Sequence, residues 1–173
     1  MAGDAEREFE EFVGAVWPRL RHAAYLMTGN YHDAEDMAQT ALSRTYQAWG
    51  RVRRDDAHLY ARRIMINAII DRRRRRRLLE VRAEPSRIAT NDTGLTAAAD
   101  RDELLRMLTM LTSRERAVVV LRYYFDLSEE QVAHELGVSR GTVKSTASRA
   151  LAKLRVADDA STARLTDERR RPW

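Results

Sequence analysis

LSEEQVAHELGVSRGTVKSTASRALAKLR, residues 127–155, has the pattern of a helix-turn-helix. Ser128 and Gln131 have capping-box spacing, so their side chains can satisfy the exposed backbone N–H groups at the start of a first helix. Gly137 supplies the positive φ that ends this helix, and Ser139 then caps a second one. In this motif the second helix enters a DNA major groove, so the segment indicates nucleic acid as a partner.

The second helix of the motif has one apolar and one polar face. Helical spacing places five apolar residues on a stripe that can pack inward: Val143, Ala147, Ala150, Leu151 and Leu154. The other face carries donors suited to phosphates and purine edges: Arg140, Thr142, Lys144, Ser145, Ser148 and Arg149. An ordinary helical hairpin with a solvated basic face is the alternative, but the caps, the turn glycine and the apolar spacing all agree with the DNA-binding motif.

The composition restricts the fold class and the partners. A chain of 173 residues can form one ordinary domain or two small ones. Its 31 basic residues exceed its 26 acidic ones by 5, and all but two of the basic residues are arginines, which favour fork-shaped phosphate contacts. No β-like alternation of useful length occurs, so we expect an all-α fold.

Several function classes find little support in the sequence. The chain has no cysteine, which excludes disulfides and thiolate metal sites. The four histidines lack metal-ligand spacing, no glycine-rich phosphate loop occurs, and the acidic cluster Asp33, Glu35 and Asp36 has no partner acid, base or nucleophile. We therefore predict no catalysis, no metal and no cofactor. No segment approaches the roughly 20 apolar residues that span a bilayer, so we expect a cytoplasmic protein without membrane insertion.

Two helical domains and a linker are predicted along the chain. Residues 1–79 should form three helices, the second near 32–49 and the third near 57–79, with six arginines at its end. Residues 80–98 are rich in turn formers and are expected to be a flexible linker. Residues 99–156 should form the second small domain, with a helix capped at Thr112 before the helix-turn-helix. Residues 157–173 are expected to be a polar, mobile C-terminal tail.

Four stretches together resemble the sigma-70 family of bacterial sigma factors, and most of all its extracytoplasmic-function group, which keeps only domains two and four. They are GNYHDAEDMAQTALSRTYQAW (29–49), LYARRIMINAIIDRRRRR (59–76), LTSRERAVVVLRYYFDLSEEQVAHELGVSRGTVKS (111–145) and SRALAKLR (148–155). The third helix and GTVKSTASRAL are most similar to an actinobacterial sigma-E-like subfamily. The resemblance implies a transcription initiation factor that binds core RNA polymerase, recognises the minus-35 and minus-10 promoter elements and promotes DNA melting. A stand-alone helix-turn-helix regulator remains the alternative.

The resemblance also implies where polymerase binds. Five residues of the second helix would dock on the coiled coil of the β′ subunit: Asp33, Glu35, Asp36, Gln39 and Arg44. The second domain would pack on the β flap through the apolar surface around Leu121, Tyr124 and Phe125, although these side chains could equally be core. Family members are commonly held inactive by an anti-sigma factor, so such a partner is implied by the resemblance alone.

The minus-10 site would comprise the loop at 52–58, the third helix and the arginine run. Extracting a base from the stack costs a few kcal/mol, which a pocket and phosphate neutralisation must offset. The implied contacts are Arg53, Arg54, His58, Arg62, Arg63, Asn67, Arg72, Arg73 and Arg74. Asn67 could instead satisfy the helix interior, and the arginine run could simply be solvated. Two positions depart from the family pattern: Ala57-His58 replaces an aromatic residue before the LY pair, and Thr146 replaces an arginine.

Overall fold

The computed structural model describes residues 2–80 and 99–168, and the chain divides into two compact units, Met1–Gly94 and Leu95–Trp173. Within the described ranges the regular secondary structure is helical throughout, as predicted. The first unit contains α1 (Ala2–Thr28), α2 (Tyr31–Gln47) and α3 (Ala57–Glu80), with a 3₁₀ turn at Arg54–Asp56. The second contains α4 (Ala99–Thr109), α5 (Ser113–Val119), α6 (Glu129–Leu136) and α7 (Arg140–Glu168), with a π-helical turn at Val120–Tyr124. The predicted linker, apart from Glu80, lies outside the described residues.

The first unit is a three-helix core. Gly29 adopts φ 72° at the end of α1, and the Asn30 side chain caps α2 by accepting a hydrogen bond from the Asp33 backbone N–H at 3.0 Å. Small residues on α1 and α2 let the helices approach closely, and the large side chains Met27, Met65, Ile66 and Ile69 fill the interior. This core fixes α2 and α3 beside each other, so their outer faces form the candidate binding surfaces of the unit.

An aromatic cluster joins the start of α1 to the end of α2. The Phe9 ring centroid lies 4.8 Å from that of Tyr46 and 4.9 Å from that of Trp49, and Phe12 lies 5.0 Å from Trp49. Trp49 is buried while Tyr46 remains half exposed. The cluster therefore anchors the chain just where it leaves α2 and enters the loop before α3.

The second unit confirms the predicted capping pattern. Capping boxes are formed by Thr112 with Glu115 and by Ser128 with Gln131, and Gly137 ends α6 at φ 62°. The Ser139 hydroxyl accepts a hydrogen bond from the Thr142 N–H at 3.1 Å at the start of α7. The helix-turn-helix is therefore present and is formed by the residues that the sequence singled out.

The core of the second unit contains residues that the sequence left undecided. Leu121 and Phe125 are buried, together with Val118, Val132, Val143 and Ala150. The π-helical turn, which the sequence pattern did not predict, leads into backbone hydrogen bonds from Phe125 N to Val120 O and from Leu127 N to Leu121 O, both 3.1 Å. Leu121 and Phe125 therefore belong to the core and are not a docking surface.

Helix α7 extends beyond its predicted end, and residues 157–168 of the expected tail continue it. This stretch contains several alanines and no glycine or proline, so nothing in the local sequence ends the helix. Across the described ranges, no helix combines the length and apolarity needed to cross a membrane.

Candidate nucleic-acid interface

The predicted DNA-binding residues of α7 lie on the side of the helix that faces away from the core. Arg140, Lys144, Ser145, Ser148 and Arg149 are exposed and Thr142 is half-buried. Thr142 is held at the helix start, where its hydroxyl lies 2.9 Å from that of Ser139. These six side chains form the α7 polar face, which combines three cationic groups with three hydroxyls.

Thr146, which replaces an arginine of the family pattern, lies outside this face. It is 3% exposed and packs with the buried side of α7. The Arg149 guanidinium donates to its hydroxyl at 3.5 Å, so Thr146 supports a residue of the polar face from beneath. At the other end of the face, the Arg140 guanidinium lies 3.2 Å from the Glu129 carboxylate, which joins the start of α7 to the start of α6.

On α3, three predicted residues form a polar stripe. Arg63, Asn67 and Arg74 are exposed and follow helical spacing, so they share one face of the helix. Because Asn67 is exposed, it does not serve the helix interior. Tyr60, which the sequence pattern did not single out, is 39% exposed and precedes Arg63 by three residues on the same stripe. Its i, i+3 spacing from Arg63 could have revealed it.

Arg62 is a predicted minus-10 contact that the structure buries. Arg62 is only 5% exposed, because its position on α3 faces the helix bundle. Arg73 is half-buried and donates to the Thr28 carbonyl at 3.3 Å. Burial lowers the pKa of Arg73, as does the nearby charge of Arg76, while Asp33 acts in the opposite direction.

The arginine run contacts the acidic start of α2. One Arg72 nitrogen lies 2.7 Å from an Asp33 oxygen, and Arg76 lies 3.6 Å from the other oxygen. Asp36 is 4.0 Å from Arg72. A predicted polymerase contact is thus already paired with predicted DNA contacts, which sequence reasoning did not foresee.

The remaining predicted polymerase contacts lie on the outer face of α2. Asp36, Gln39 and Arg44 are exposed, while Glu35 is half-buried and lies 3.3 Å from Arg21 of α1. A shallow depression of about 400 Å³ lies on the same face, lined by Gln39, Thr40, Ser43, Arg44 and Gln47. Thr40, Ser43 and Gln47 were not predicted. An exposed polar helix face of this kind can receive a partner protein.

Arg53 and Arg54, just before α3, and His58, in its first turn, lie in different environments. Arg53 is 81% exposed and His58 is exposed. Arg54, in contrast, binds the carboxylate of Glu8 and two backbone carbonyls.

Within the described residues, no group of three His, Asp or Glu side chains is arranged to hold a metal ion.

Comparisons with known proteins agree with this geometry. The family model of sigma-70 region 2 matches residues 12–78, and that of sigma-70 region 4 matches residues 101–154. The chain is 42% identical to the RNA polymerase sigma-E factor of Streptomyces avermitilis over 156 residues, 90% of this chain and 87% of the relative. It is 32% identical to the ECF RNA polymerase sigma factor SigL of Mycobacterium tuberculosis over 155 residues, 86% of this chain and 85% of the relative.

Two solved structures have a similar fold. The sigma factor RpoE from Bartonella quintana, solved in complex with the anti-sigma factor NepR, gives a TM-score of 0.71 at 22% identity and covers 88% of this chain and 98% of its own. CnrH, solved in complex with the cytosolic domain of CnrY, gives a TM-score of 0.65 at 25% identity. This match covers 92% of this chain and 95% of the CnrH chain.

Both sigma regions match in order, and the relatives are similar over nearly their whole length, which sets aside the stand-alone regulator. With a helix-turn-helix in one unit and a three-helix core with polar outer faces in the other, the chain belongs to the sigma-70 family, in its extracytoplasmic-function group.

Proposed function

We propose that this sigma factor gives core RNA polymerase its promoter specificity through three surfaces: the outer face of α2 binds polymerase, the α7 polar face binds the minus-35 element, and α3 with its preceding loop binds the melted minus-10 element. In domain terms, residues 1–79 act as sigma domain two, 80–98 as the linker and 99–156 as domain four. The observation that carries the proposal is that each matched region presents an exposed polar helix face, on α2 and α3 in region 2 and on α7 in region 4. The chain contributes binding and no chemistry of its own.

Polymerase docking is assigned mainly to Asp36, Gln39 and Arg44. Asp36 is 68% exposed, and the other two line the depression on α2, so all three are accessible to the β′ coiled coil. Asp33 differs because it is only 25% exposed and is held by Arg72. Its role in docking is therefore secondary to that of Asp36.

A second polymerase contact, with the β flap, is assigned to the exposed apolar side chains of the second unit. Met110 and Tyr123 are more than half exposed, whereas Leu121 and Phe125 are buried. Exposed large apolar groups are the usual anchors of protein interfaces. Tyr123, and to a lesser degree the half-buried Tyr124, can therefore reach a partner.

The minus-35 element is assigned to the α7 polar face. Lys144 and Arg149 are the exposed cations at its centre and can bind a guanine edge or a phosphate. Arg140 begins the helix beside Glu129, and the hydroxyls of Thr142, Ser145 and Ser148 can contact phosphates or bases. A recognition helix of this kind uses its N-terminal turns, which is where these residues lie.

The minus-10 element is assigned to the α3 stripe and to Arg53 and His58. Tyr60 provides a π face on which an unstacked base can lie, a contact worth about 1–3 kcal/mol per base. Arg63 and Arg74 flank it with positive charge, and Asn67 supplies an amide for base edges. Together these groups can offset the few kcal/mol needed to take a base out of the duplex.

The decisive experiment adds the purified chain to core polymerase and a genomic promoter library, followed by mapping of transcript 5′ ends. We expect transcripts that share minus-35 and minus-10 elements and require both the chain and core enzyme. Asp36→Arg should abolish retention on core polymerase, while Glu6→Arg, an equal charge reversal at an exposed site of α1, should not. Absence of initiation, together with tight binding of an operator by the chain alone, would reject the proposal.

An anti-sigma factor is proposed as the regulator, since the similar sigma factor RpoE was solved in complex with one. The chain would then act in the cytoplasm, where polymerase and DNA are available, whenever this inhibitor releases it. A candidate inhibitor is tested by mixing it with the chain before core polymerase is added. Continued formation of holoenzyme at saturating inhibitor would exclude that candidate.

A further inference from the structure

We infer that Arg54 is a positioning residue, which fixes the loop before α3 and so shapes the minus-10 site without neutralising a DNA phosphate itself. The inference rests on the proposed function for the role of this loop. It changes the assignment of Arg54, for which the family resemblance implied a direct DNA contact.

The Arg54 guanidinium joins three parts of the first unit. Its Nε lies 3.0 Å from a carboxylate oxygen of Glu8 on α1, and its Nη1 donates to the Trp49 carbonyl at 2.6 Å and to the Val52 carbonyl at 3.3 Å. Its central carbon lies 4.1 Å from the centre of the Trp49 ring. Arg54 therefore bonds to the chain just after α2, to the middle of the loop and to a separate helix.

These contacts require the planar fork of arginine. A guanidinium can stack on an aromatic ring while its edge donates several hydrogen bonds in one plane, whereas the ammonium of lysine is a compact charge without this geometry. The Trp49 ring below it is buried and is itself packed against Phe9 and Phe12. The platform under Arg54 is therefore rigid, so Arg54 can transmit that rigidity to the loop.

The position of Arg54 in the chain makes the loop geometry matter. Arg54 begins the 3₁₀ turn that leads directly into α3 at the fully buried Ala57. Three proposed DNA contacts follow within the next two turns of α3, namely His58, Tyr60 and Arg63. A shift of the loop would move these side chains relative to an unstacked base.

The neighbouring Arg53 provides the contrast. The Arg53 side chain is 81% exposed against 45% for Arg54, and its ion pair with Asp56 is long, at 3.9 Å. Two adjacent arginines thus have different environments, and Arg53 is the one arranged to meet a phosphate.

Substitution of Glu8 distinguishes a phosphate-binding role of Arg54 from a loop-positioning role, because the two roles predict changes of opposite sign. If Arg54 neutralised a phosphate, Glu8→Gln would release the guanidinium and strengthen DNA binding. If Arg54 holds the loop, the same substitution loosens the loop and weakens promoter opening. Glu8 lies on α1 and would act on DNA through Arg54, so the sign of the change reports the role of Arg54.

The test uses holoenzyme assembled from the full chain and core polymerase on a promoter mapped as described above. Opening is followed by permanganate reactivity of unpaired thymines, and hydrogen exchange follows the backbone amides of residues 50–56. In Arg54→Lys and Glu8→Gln we expect these amides to exchange faster and promoter opening to fall about tenfold. A tenfold loss corresponds to the cost of re-ordering roughly one backbone residue. Arg51→Lys in the same loop and Glu11→Gln on α1 are the matched controls and should behave as wild type.

A third variant, Arg54→Gln, measures the phosphate contact directly. Loss of one phosphate contact lowers the slope of log affinity against log salt by about 0.9. We expect an unchanged slope for Arg54→Gln. If this variant unfolds, as shown by its thermal melting curve, Glu8→Gln carries the test.

A slope reduced by one contact, stronger binding by Glu8→Gln, or opening like wild type in both Arg54→Lys and Glu8→Gln would overturn the inference. Failure of the wild-type chain to initiate with core polymerase would instead reject the proposed function.

Discussion

The guanidinium of Arg72 on α3 lies 2.7 Å from the carboxylate of Asp33 on α2. Arg76 reaches the other oxygen of the same carboxylate at 3.6 Å. Two surfaces that we assign to different partners, polymerase on α2 and DNA phosphates on α3, therefore share one group of charges. Both side chains are partly exposed, so the pair adds little to stability, on the order of 1 kcal/mol or less. Its larger effect is on how many arginines are available to DNA.

Asp33→Asn should increase the salt dependence of DNA binding by the free chain. The substitution releases Arg72 and Arg76, and each additional phosphate contact steepens the slope of log affinity against log salt by about 0.9. Fluorescence anisotropy with a labelled duplex of random sequence measures this slope. Glu35→Gln is the control, because it removes the same charge from α2 but pairs with Arg21. Equal slopes for the two variants would show that only net charge matters.

Lys144→Ala and Arg149→Ala should each reduce use of promoters that depend on a minus-35 element. A charge-assisted contact to a base is worth about 1–3 kcal/mol, and core polymerase binding should be unchanged because neither residue lies on a proposed polymerase-binding surface. Run-off transcription on promoters with intact and scrambled minus-35 elements measures the effect. Arg114→Ala removes an exposed arginine from α5 in the same unit and serves as control. Unaltered promoter use by both variants would mean that α7 does not recognise the element.

Two glycines of the helix-turn-helix should respond to alanine with opposite signs. Gly137 has φ 62°, where a Cβ costs roughly 1–2 kcal/mol, so Gly137→Ala should lower the melting temperature of the second unit. Gly141 lies in the first turn of α7, where an added Cβ would have its nearest neighbouring atom 3.9 Å away, so Gly141→Ala should raise stability by up to about 1 kcal/mol. Circular dichroism on heating measures both. A destabilised Gly141→Ala would contradict this explanation.

The Glu115–Lys153 ion pair should make the second unit sensitive to acid. Burial raises the pKa of Glu115, but hydrogen bonds from Lys153 at 2.8 and 2.9 Å and from Thr112 outweigh it, so the pKa is lowered overall. The resulting stability is therefore fully present above the ordinary glutamate pKa, about 4.3, and is lost as pH falls through the lowered value.

Lys153→Met should destabilise the second unit by about 1–2 kcal/mol at neutral pH, because it leaves a buried carboxylate without its cation. This difference from wild type should shrink as pH falls through the lowered pKa of Glu115. Urea unfolding at a series of pH values measures it. Arg155→Met, an exposed cation on the same helix, is the control. A difference that is independent of pH would exclude the ion pair as its cause.

The sequence was sufficient to predict the structure wherever the contacts that determine it are local. The caps at Thr112, Ser128 and Ser139 and the turn at Gly137 depend on residues within a few positions of each other, and all four are present. The resemblance to a family then supplied the assignment of these helices to DNA and polymerase. Amphipathic spacing also distinguished the buried side of α7 from its polar face.

The sequence was insufficient to predict the environment of a side chain whose contact partner is distant in the chain. Arg54 meets Glu8, 46 positions away, and Arg72 meets Asp33, so neither environment follows from local spacing. Arg62 and Arg63 are adjacent and chemically identical, yet the helix phase buries the first and exposes the second. That phase depends on how α3 packs in its unit. The end of α7 does not follow from polar composition, because a polar sequence that contains several alanines and no glycine or proline also favours helix.

The continuity of α7 has a practical consequence for experiments in solution. At 1.5 Å per residue, its 29 residues form a rod of about 43 Å, with the turns that we propose contact bases at one end. Such a rod transmits tilt with little loss, so a fluorophore fixed near its far end would report the angle at which the other end is seated on the duplex. Distance measurements from that end to labelled nucleotides could therefore follow promoter engagement without placing a dye among the DNA contacts.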